Sequence, residues 1–227
     1  MIDLFFFPSP NGVKIAIMLE ECGLPYNITT VDITKGDQFK SEFAELSPNR
    51  KIPALTDDEG ESVALFESGA ILLYLANKTG RFFPQKGKDY FEALPWLFWQ
   101  VGHLGPMAGQ AHYFRKFCEV KDGHAIERFT NEVNRLYTVL EQQLEDKDFI
   151  IGNYSIVDMA CWPWIKYAEW QGQDLQKFPK VKHWFDTVAA RPAVKLAEAH
   201  GTATKVDRES YRNVLHNQTG ETLKKLS

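Results

Sequence analysis

The first part of the chain alternates short apolar runs with an amphipathic segment. Residues 2–7 form an apolar run that ends in the turn-forming residues 8–12, which predicts a buried strand and a tight turn. Apolar side chains then recur at helical spacing up to Gly23, where a glycine can end a helix. Residues 27–33 alternate β-branched and polar side chains and predict a second strand. The chain therefore begins with strand, helix and strand.

Two more strands and two more helices are predicted before residue 80. A polar stretch contains a short helix at about residues 39–46. Residues 52–56 and 62–66 flank the acidic turn 57–60, a pattern that predicts a β-hairpin. The helix that follows has its N-cap most simply at Ser68. Strands that alternate with helices and end in a hairpin indicate a mixed sheet.

Beyond residue 88 the strand pattern gives way to helical spacing. Residues 79–88 contain Gly, Pro and several charges, and they are the best candidate for a linker. Prolines and glycines interrupt residues 90–114, so kinks are expected there rather than one straight helix. A regular apolar stripe over residues 126–144 predicts a long amphipathic helix. Ser155 and Asp158 predict a capping box at the start of another helix, with Asp in place of the usual Glu or Gln.

These patterns predict two domains and a tail. We expect residues 1–79 to form an α/β domain, residues 88–200 an all-helical domain, and residues 201–227 a polar C-terminal extension. A chain of 227 residues with 44% hydrophobic and 25% charged content can build two small cores. The formal net charge of -4 provides no electrostatic reason to expect nucleic acid or a membrane surface as a partner.

The cysteines and the N-terminal residues bear on redox chemistry and compartment. Cys22, Cys118 and Cys161 are odd in number, far apart, and form neither a C-x-x-C pair nor a metal-ligand spacing. Any redox chemistry must therefore take its sulfur from another molecule, and we expect no metal. The first residues lack the pattern of a signal peptide, and no apolar run reaches the roughly 18 residues of a membrane span. The expected compartment is a reducing cytoplasm.

Three short segments are candidates for binding chemistry, and each also has a purely structural interpretation. Pro53 either starts a strand with a trans bond, or forms a cis bond that turns the Ile52 backbone toward an extended peptide. Glu67 and Ser68 either cap a helix only, or also bind the ammonium and carboxylate of a γ-glutamyl group. Residues 9–11 either form a turn only, or supply a hydroxyl and an amide that stabilise a thiolate.

The order of these segments resembles that of the glutathione transferase superfamily over nearly the whole chain. Three segments carry the resemblance: Lys51–Ala54, Leu65–Ile71 and Asn153–Asp158. More narrowly, the sequence resembles the nu class, the bacterial and fungal relatives of the yeast nitrogen regulator that act as disulfide-bond reductases. That match is carried by Pro8–Gly12, Lys35–Phe39, Trp96–Gly102, Gly105–Met107 and Ala125–Arg128.

The resemblance implies a fold, an assembly and a ligand. The fold is a thioredoxin-like α/β N-terminal domain followed by an all-α C-terminal domain, and the assembly is a homodimer. The ligand is glutathione, either two reduced molecules or one oxidised molecule in each site, with no reactive protein cysteine. The partner would be a small disulfide substrate.

The resemblance also implies residue roles. Ser9 and Asn11 would be catalytic, as donors to the glutathione thiolate. The implied glutathione-binding residues are Asn11, Gln38, Lys51, Ile52, Pro53, Glu67, Ser68 and Arg128. Among these, Arg128 would reach the second glutathione from the helical domain. The chain departs from the family at Ser9, where close relatives often have Thr, and at residues 5–7, where Phe replaces the catalytic Tyr of other classes.

Three functions are consistent with the resemblance. The first is a glutathione-dependent disulfide-bond oxidoreductase. The second is a glutathione S-transferase that conjugates small electrophiles, which needs an apolar acceptor pocket lined by residues such as His112. The third is a non-catalytic regulatory module like the yeast regulator, which the absence of an Asn/Gln-rich segment from this sequence disfavours.

Overall fold

The structure is a computed structural model that describes residues 1–202, 209 and 212–214. The predicted extension 201–227 lies for the most part outside these residues. The described residues fall into two compact units. The first unit contains Met1–Leu72 and the described residues from Leu196 onward, and the second contains Leu73–Lys195.

The first unit contains a mixed four-stranded sheet, as predicted, with the order β2-β1-β3-β4. Its strands are β1 (Ile2–Phe6), β2 (Tyr26–Thr30), β3 (Ala54–Asp57) and β4 (Val63–Phe66). Strand β1 is parallel to β2 and antiparallel to β3, and β3 and β4 form the predicted hairpin. The prediction that the second strand continues to Ile33 is wrong. The carboxylate of Asp32 accepts from the backbone N–H of Thr34 at 3.0 Å and starts a 3-10 turn there.

Three helices accompany the sheet: α1 (Pro10–Cys22), α2 (Ser41–Leu46) and α3 (Ser68–Thr79), the last of which continues into the second unit. Helix α1 ends at Gly23, which has a φ of 65° and so serves as the predicted C-cap. The core is formed by apolar side chains of β1, β3 and α1. The side chains that are completely buried include Leu4, Ile15, Ile17, Met18, Leu19 and Leu55.

The second unit is helical, as predicted. Its helices are α4 (Gly87–Trp99), α5 (Gly105–His112), α6 (Gly123–Gln143), α7 (Ile156–Ile165), α8 (Pro179–Ala189) and α9 (Pro192–Thr202), the last of which continues into the first unit. Two π-helical segments, Gln100–Leu104 and Tyr113–Phe117, interrupt the region where kinks were expected. The apolar stripe of α6 is buried at Val133, Leu136, Tyr137 and Leu140. In its described part, this unit has one isolated bridge, Ile151 with Asn153, and no strand.

The predicted capping box opens α7. The hydroxyl of Ser155 caps the helix, and the carboxylate of Asp158 accepts from the Ser155 backbone N–H at 2.9 Å. The same carboxylate, which is fully buried, accepts from Trp184 Nε1 at 2.8 Å and from the Ile150 N–H at 3.0 Å. Burial raises the pKa of Asp158 to about 6, although these hydrogen bonds favour its ionised form. Asp158 therefore joins the start of α7 to two other segments of its unit.

Two features of the described residues bear on partners and cofactors. No helix in this part of the chain combines the length and the apolar character that a membrane span requires. Among the same residues, no group of three or more His, Cys, Asp and Glu side chains has an arrangement that could hold a metal ion.

Candidate functional site

The sheet brings three of the predicted segments to one end of the first unit. In the strand register, Ala54 at the start of β3 pairs with Phe5 near the end of β1 and with Phe66 at the end of β4. The residues that follow β1 and β4 and those that precede β3 therefore lie at the same end of the sheet. These are the segments that contain Ser9, Ile52–Pro53 and Glu67–Ser68.

Ser9 lies at the N-cap of α1. Its Oγ accepts from the backbone N–H of Gly12 at 3.3 Å. Within the described part of the chain, the Ser9 hydroxyl hydrogen has no acceptor, so it can donate to a ligand. Gly12 is required at this position because a Cβ there would collide with the carbonyl oxygen of Phe7. Asn11 lies half-buried in the first turn of the same helix.

Gln38 lies in a 3-10 turn, Asp37–Phe39, and only 1% of it is exposed. Neither its amide nitrogen nor its amide oxygen has a hydrogen-bond partner within the described residues. A buried amide without partners is costly, and Gln38 lines a cavity of about 260 Å³. Arg50 ties the turn to the segment before Ile52, because its Nη1 donates to the carbonyl oxygen of Phe39 at 3.0 Å. Gln38 is therefore a buried donor and acceptor that the described part of the chain leaves without a partner.

The segment before β3 has the cis Ile52–Pro53 bond that was one of the two alternatives from the sequence. Ser47 shapes this segment, because its buried hydroxyl donates to the carbonyl oxygen of Lys51 at 3.0 Å. Lys51 is exposed and Ile52 is half-buried. In the described part of the chain, the N–H and C=O of Ile52 have no backbone partner, which leaves both groups available to an extended peptide.

The helix start after β4 differs from the expectation. Helix α3 already begins at Ser68, and the carbonyl of Glu67 accepts its first hydrogen bond, from the Ile71 N–H at 3.0 Å. The cap position is therefore Glu67 and not Ser68. Its φ of 72° turns the chain directly from strand to helix. Asn49 Nδ2 donates to the exposed Glu67 carboxylate at 3.4 Å.

Lys14 is the residue that the sequence analysis missed. It lies on α1 with 1% exposure, and its Nζ donates to Ser68 Oγ at 3.1 Å. In the sequence, the position of Lys14 next to the continuous apolar run 15–19 was the one indication that this lysine could be buried. Helical spacing alone does not place Lys14 beside Ser68, because the two residues are 54 positions apart.

Arg128 belongs to the second unit, near the start of α6, where it is exposed. Its guanidinium makes no salt bridge within the described residues. His112, a candidate for an apolar acceptor pocket, is instead a core side chain. It is 8% exposed and stacks on Trp164 with ring centroids 6.1 Å apart. Burial lowers the pKa of His112 to about 4, so it is neutral near pH 7.

Comparisons with known proteins agree with this architecture. A family model described as the glutathione S-transferase N-terminal domain matches residues 8–78, and one described as the C-terminal domain matches residues 106–192. The disulfide-bond oxidoreductase YfcG of Escherichia coli is 50% identical over 202 residues, which cover 87% of this chain and 94% of that protein.

Two solved structures are similar over the same part of the chain. A glutathione transferase family member from Pseudomonas fluorescens, with two glutathione bound, has a TM-score of 0.82 and 43% identity, and the match covers 87% of this chain and 92% of that one. A glutathione transferase from Pseudomonas putida, with one glutathione disulfide bound per subunit, has a TM-score of 0.83 and 39% identity, with coverage of 87% and 90%. The predicted fold class is thus confirmed, and the chain belongs to the glutathione S-transferase family.

Proposed function

We propose that this protein is a glutathione-dependent disulfide-bond oxidoreductase that uses the thiols of bound glutathione rather than a protein cysteine. The proposal is carried by the end of the sheet, where the Ser9 hydroxyl hydrogen and the N–H and C=O of Ile52 have no partner among the described residues. Cys22 is the one cysteine of the sheet-containing unit in the sequence. It lies at the far end of α1, about 20 Å along the axis from Ser9.

The proposed binding of glutathione uses the backbone of Ile52 and several polar side chains. The N–H and C=O of Ile52, between Lys51 and Pro53, would pair with the cysteinyl backbone. Glu67 and Ser68 would take the ammonium and carboxylate of the γ-glutamyl group. Two other residues would add side-chain hydrogen bonds to the tripeptide, and these are Asn11 and Gln38. This set gives the cysteinyl backbone and the γ-glutamyl group of glutathione partners of matching chemistry.

The proposed reaction is thiol-disulfide exchange in two steps. The thiolate of one glutathione attacks the substrate disulfide, forms a mixed disulfide and releases one substrate thiol. The second glutathione then attacks the mixed disulfide and releases the other substrate thiol, so two glutathiones become one glutathione disulfide. Two glutathiones in one site make the second step nearly unimolecular. The Ser9 hydroxyl, Asn11 and the N-terminus of α1 would stabilise the attacking thiolate.

The class, the assembly and the compartment of the protein are part of the same proposal. The protein is assigned to the nu class, as a homodimer and in the cytoplasm. The support for the class is the identity with a relative named a disulfide-bond oxidoreductase and the two glutathiones or glutathione disulfide in similar solved structures. The support for the compartment is that Cys22, Cys118 and Cys161 form no disulfide within the described residues.

Side-by-side kinetics test the proposed reaction. The protein would be assayed with glutathione and a small dialkyl disulfide, and in parallel with glutathione and a chromogenic aryl halide. We expect strong turnover of the disulfide and little conjugation. Dominant conjugation would overturn the proposal in favour of a transferase. No turnover of either substrate, with tight glutathione binding, would overturn it in favour of a regulatory module.

A variant without cysteines should keep the reductase activity. Cys161 is fully buried in α7, whereas Cys22 is half-buried. Replacing Cys22, Cys118 and Cys161 together by Ala should therefore lower the melting temperature, mainly through the small cavity at Cys161. The disulfide reductase efficiency, measured at a temperature where the variant is folded, should stay within about threefold of that of the unsubstituted protein, because the proposed reaction uses no protein cysteine. A threefold change in efficiency corresponds to less than about 1 kcal/mol. A folded variant that has lost disulfide reduction would disprove the borrowed-sulfur mechanism.

Arg128 is proposed to bind a carboxylate of the second glutathione. Replacing Arg128 by Ala should weaken the binding of glutathione disulfide by about ten- to a hundredfold, which is the value of one charge-assisted contact. The affinity for a single reduced glutathione should change far less. Calorimetry with both ligands measures the difference, and Arg135→Ala is a matched control because Arg135 pairs with Glu132 on the same helix. Equal losses for both ligands, or none, would remove Arg128 from the site.

A further inference from the structure

The buried pair of Lys14 and Ser68 determines which way the Ser68 hydroxyl points its hydrogen. An ammonium has three donors and no acceptor, so Lys14 Nζ must donate and Ser68 Oγ must accept in their 3.1 Å hydrogen bond. The hydroxyl hydrogen of Ser68 is therefore left for another acceptor. Within the described residues, that hydrogen has no acceptor, although Ser68 is only 6% exposed. Ser68 is thus prepared to donate to an incoming anion.

The surroundings of the pair add positive potential. Ser68 is the first residue of the twelve-residue helix α3, whose first backbone N–H groups point out of the helix. The Lys14 ammonium nitrogen lies 3.1 Å from the hydroxyl oxygen and is almost completely removed from solvent. A charge in such a place acts through a medium of low polarity and is screened little by salt. The N-terminus of α3 and the Lys14 ammonium therefore both contribute positive potential at the Ser68 hydroxyl.

A lysine in this place is costly for stability. Removing an ammonium from water carries a penalty of several kcal/mol even after relaxation. An apolar side chain of similar length would fill the same buried position without that penalty. A buried lysine beside a proposed ligand contact is therefore better explained by binding than by packing.

We propose that Lys14 is a positioning residue for the γ-glutamyl carboxylate of glutathione. It acts through Ser68, by holding the hydroxyl as a donor, and it supplies positive charge behind the carboxylate. The ligand class is any γ-glutamyl peptide that keeps both the carboxylate and the ammonium on its first residue. This inference rests on the proposed function, since it assigns the glutathione carboxylate to Ser68.

The test compares two ligands on Lys14→Met. One ligand is reduced glutathione, and the other is 4-aminobutanoyl-cysteinyl-glycine, which lacks the γ-glutamyl carboxylate. Calorimetry should show that Lys14→Met binds glutathione about ten- to a hundredfold more weakly than the original protein. The affinity for the analogue should be nearly the same in both proteins, because the analogue has no carboxylate for the Lys14–Ser68 pair to bind.

Controls separate this inference from a general effect on the fold and from the proposed function. Lys88→Met removes the same charge from an exposed ion pair of the second unit and should leave both affinities unchanged. A loss of affinity that is equal for glutathione and the analogue, or no loss for either, would overturn the role of Lys14. If the original protein reduces disulfides with glutathione and Lys14→Met binds glutathione normally, only this inference fails. If the unsubstituted protein does not bind glutathione, both the inference about Lys14 and the proposed function fail.

A second variant covers the case in which Lys14→Met does not fold. Lys14→Gln keeps an N–H donor toward Ser68 but removes the charge, so it should lose part of the glutathione affinity and none of the analogue affinity. A loss that is the same for both ligands would contradict the inference for this variant too. The melting temperature of each variant, measured without ligand, shows that affinities are compared between folded proteins.

Discussion

Replacing Asp158 by Ala is expected to lower the free energy of unfolding by about 3 kcal/mol or more, because it leaves several buried donors unsatisfied. The carboxylate accepts from the Ser155 N–H and Oγ, from the Ile150 N–H and from Trp184 Nε1. Each of these groups is buried, so water cannot replace the carboxylate. Thermal and denaturant unfolding of the variant measure the loss.

A series of variants separates the helix cap from the rest of the network. Ser155→Ala removes only the cap and should cost about 0.5–2 kcal/mol. Trp184→Phe removes one donor together with part of the packing, and its cost should lie below that of Asp158→Ala. Glutathione affinity should be unchanged in every variant that is folded under the assay conditions. An unchanged melting temperature together with lost affinity would show that Asp158 serves the ligand and not the fold.

Replacing Ser9 by Ala should reduce the disulfide reductase efficiency by about ten- to a hundredfold, the range expected when one hydrogen bond to a charged group is lost. The proposed target of the Ser9 hydroxyl is the glutathione thiolate, so the thiol pKa of bound glutathione should rise. The pH profile of the reaction, followed in the pre-steady state, measures that shift.

The structural role of Ser9 requires its own control. Ser9→Ala also removes the N-cap hydrogen bond to Gly12 and should cost about 1 kcal/mol of stability. Ser9→Thr keeps both the cap and the hydroxyl, and it should restore stability and most of the activity. If Ser9→Ala loses stability but keeps its efficiency and pH profile, Ser9 is a helix cap only.

Short-range sequence patterns determined the elements of this fold. The apolar run before the first turn, the hairpin around the acidic turn and the stripe of the long helix all depend on residues within one or two turns of chain. The capping box of Ser155 and Asp158 was predictable for the same reason, because its partners are three positions apart. The family and most of the proposed site residues could also be assigned from short motifs, since the segments at residues 51–54 and 65–71 are local.

Only the tertiary structure determined what the polar groups inside the protein contact. Trp184 reaches Asp158 across 26 positions, and Lys14 reaches Ser68 across 54. The sequence also did not predict that Gln38 is buried without a hydrogen-bond partner among the described residues, nor that the helix cap lies at Glu67 instead of Ser68. Hydrophobic periodicity reports which face of an element turns inward, but not which distant side chain meets that face. The hydrogen-bond partner of a buried polar group depends on long-range packing, which is why the sequence alone predicted the elements and not these contacts.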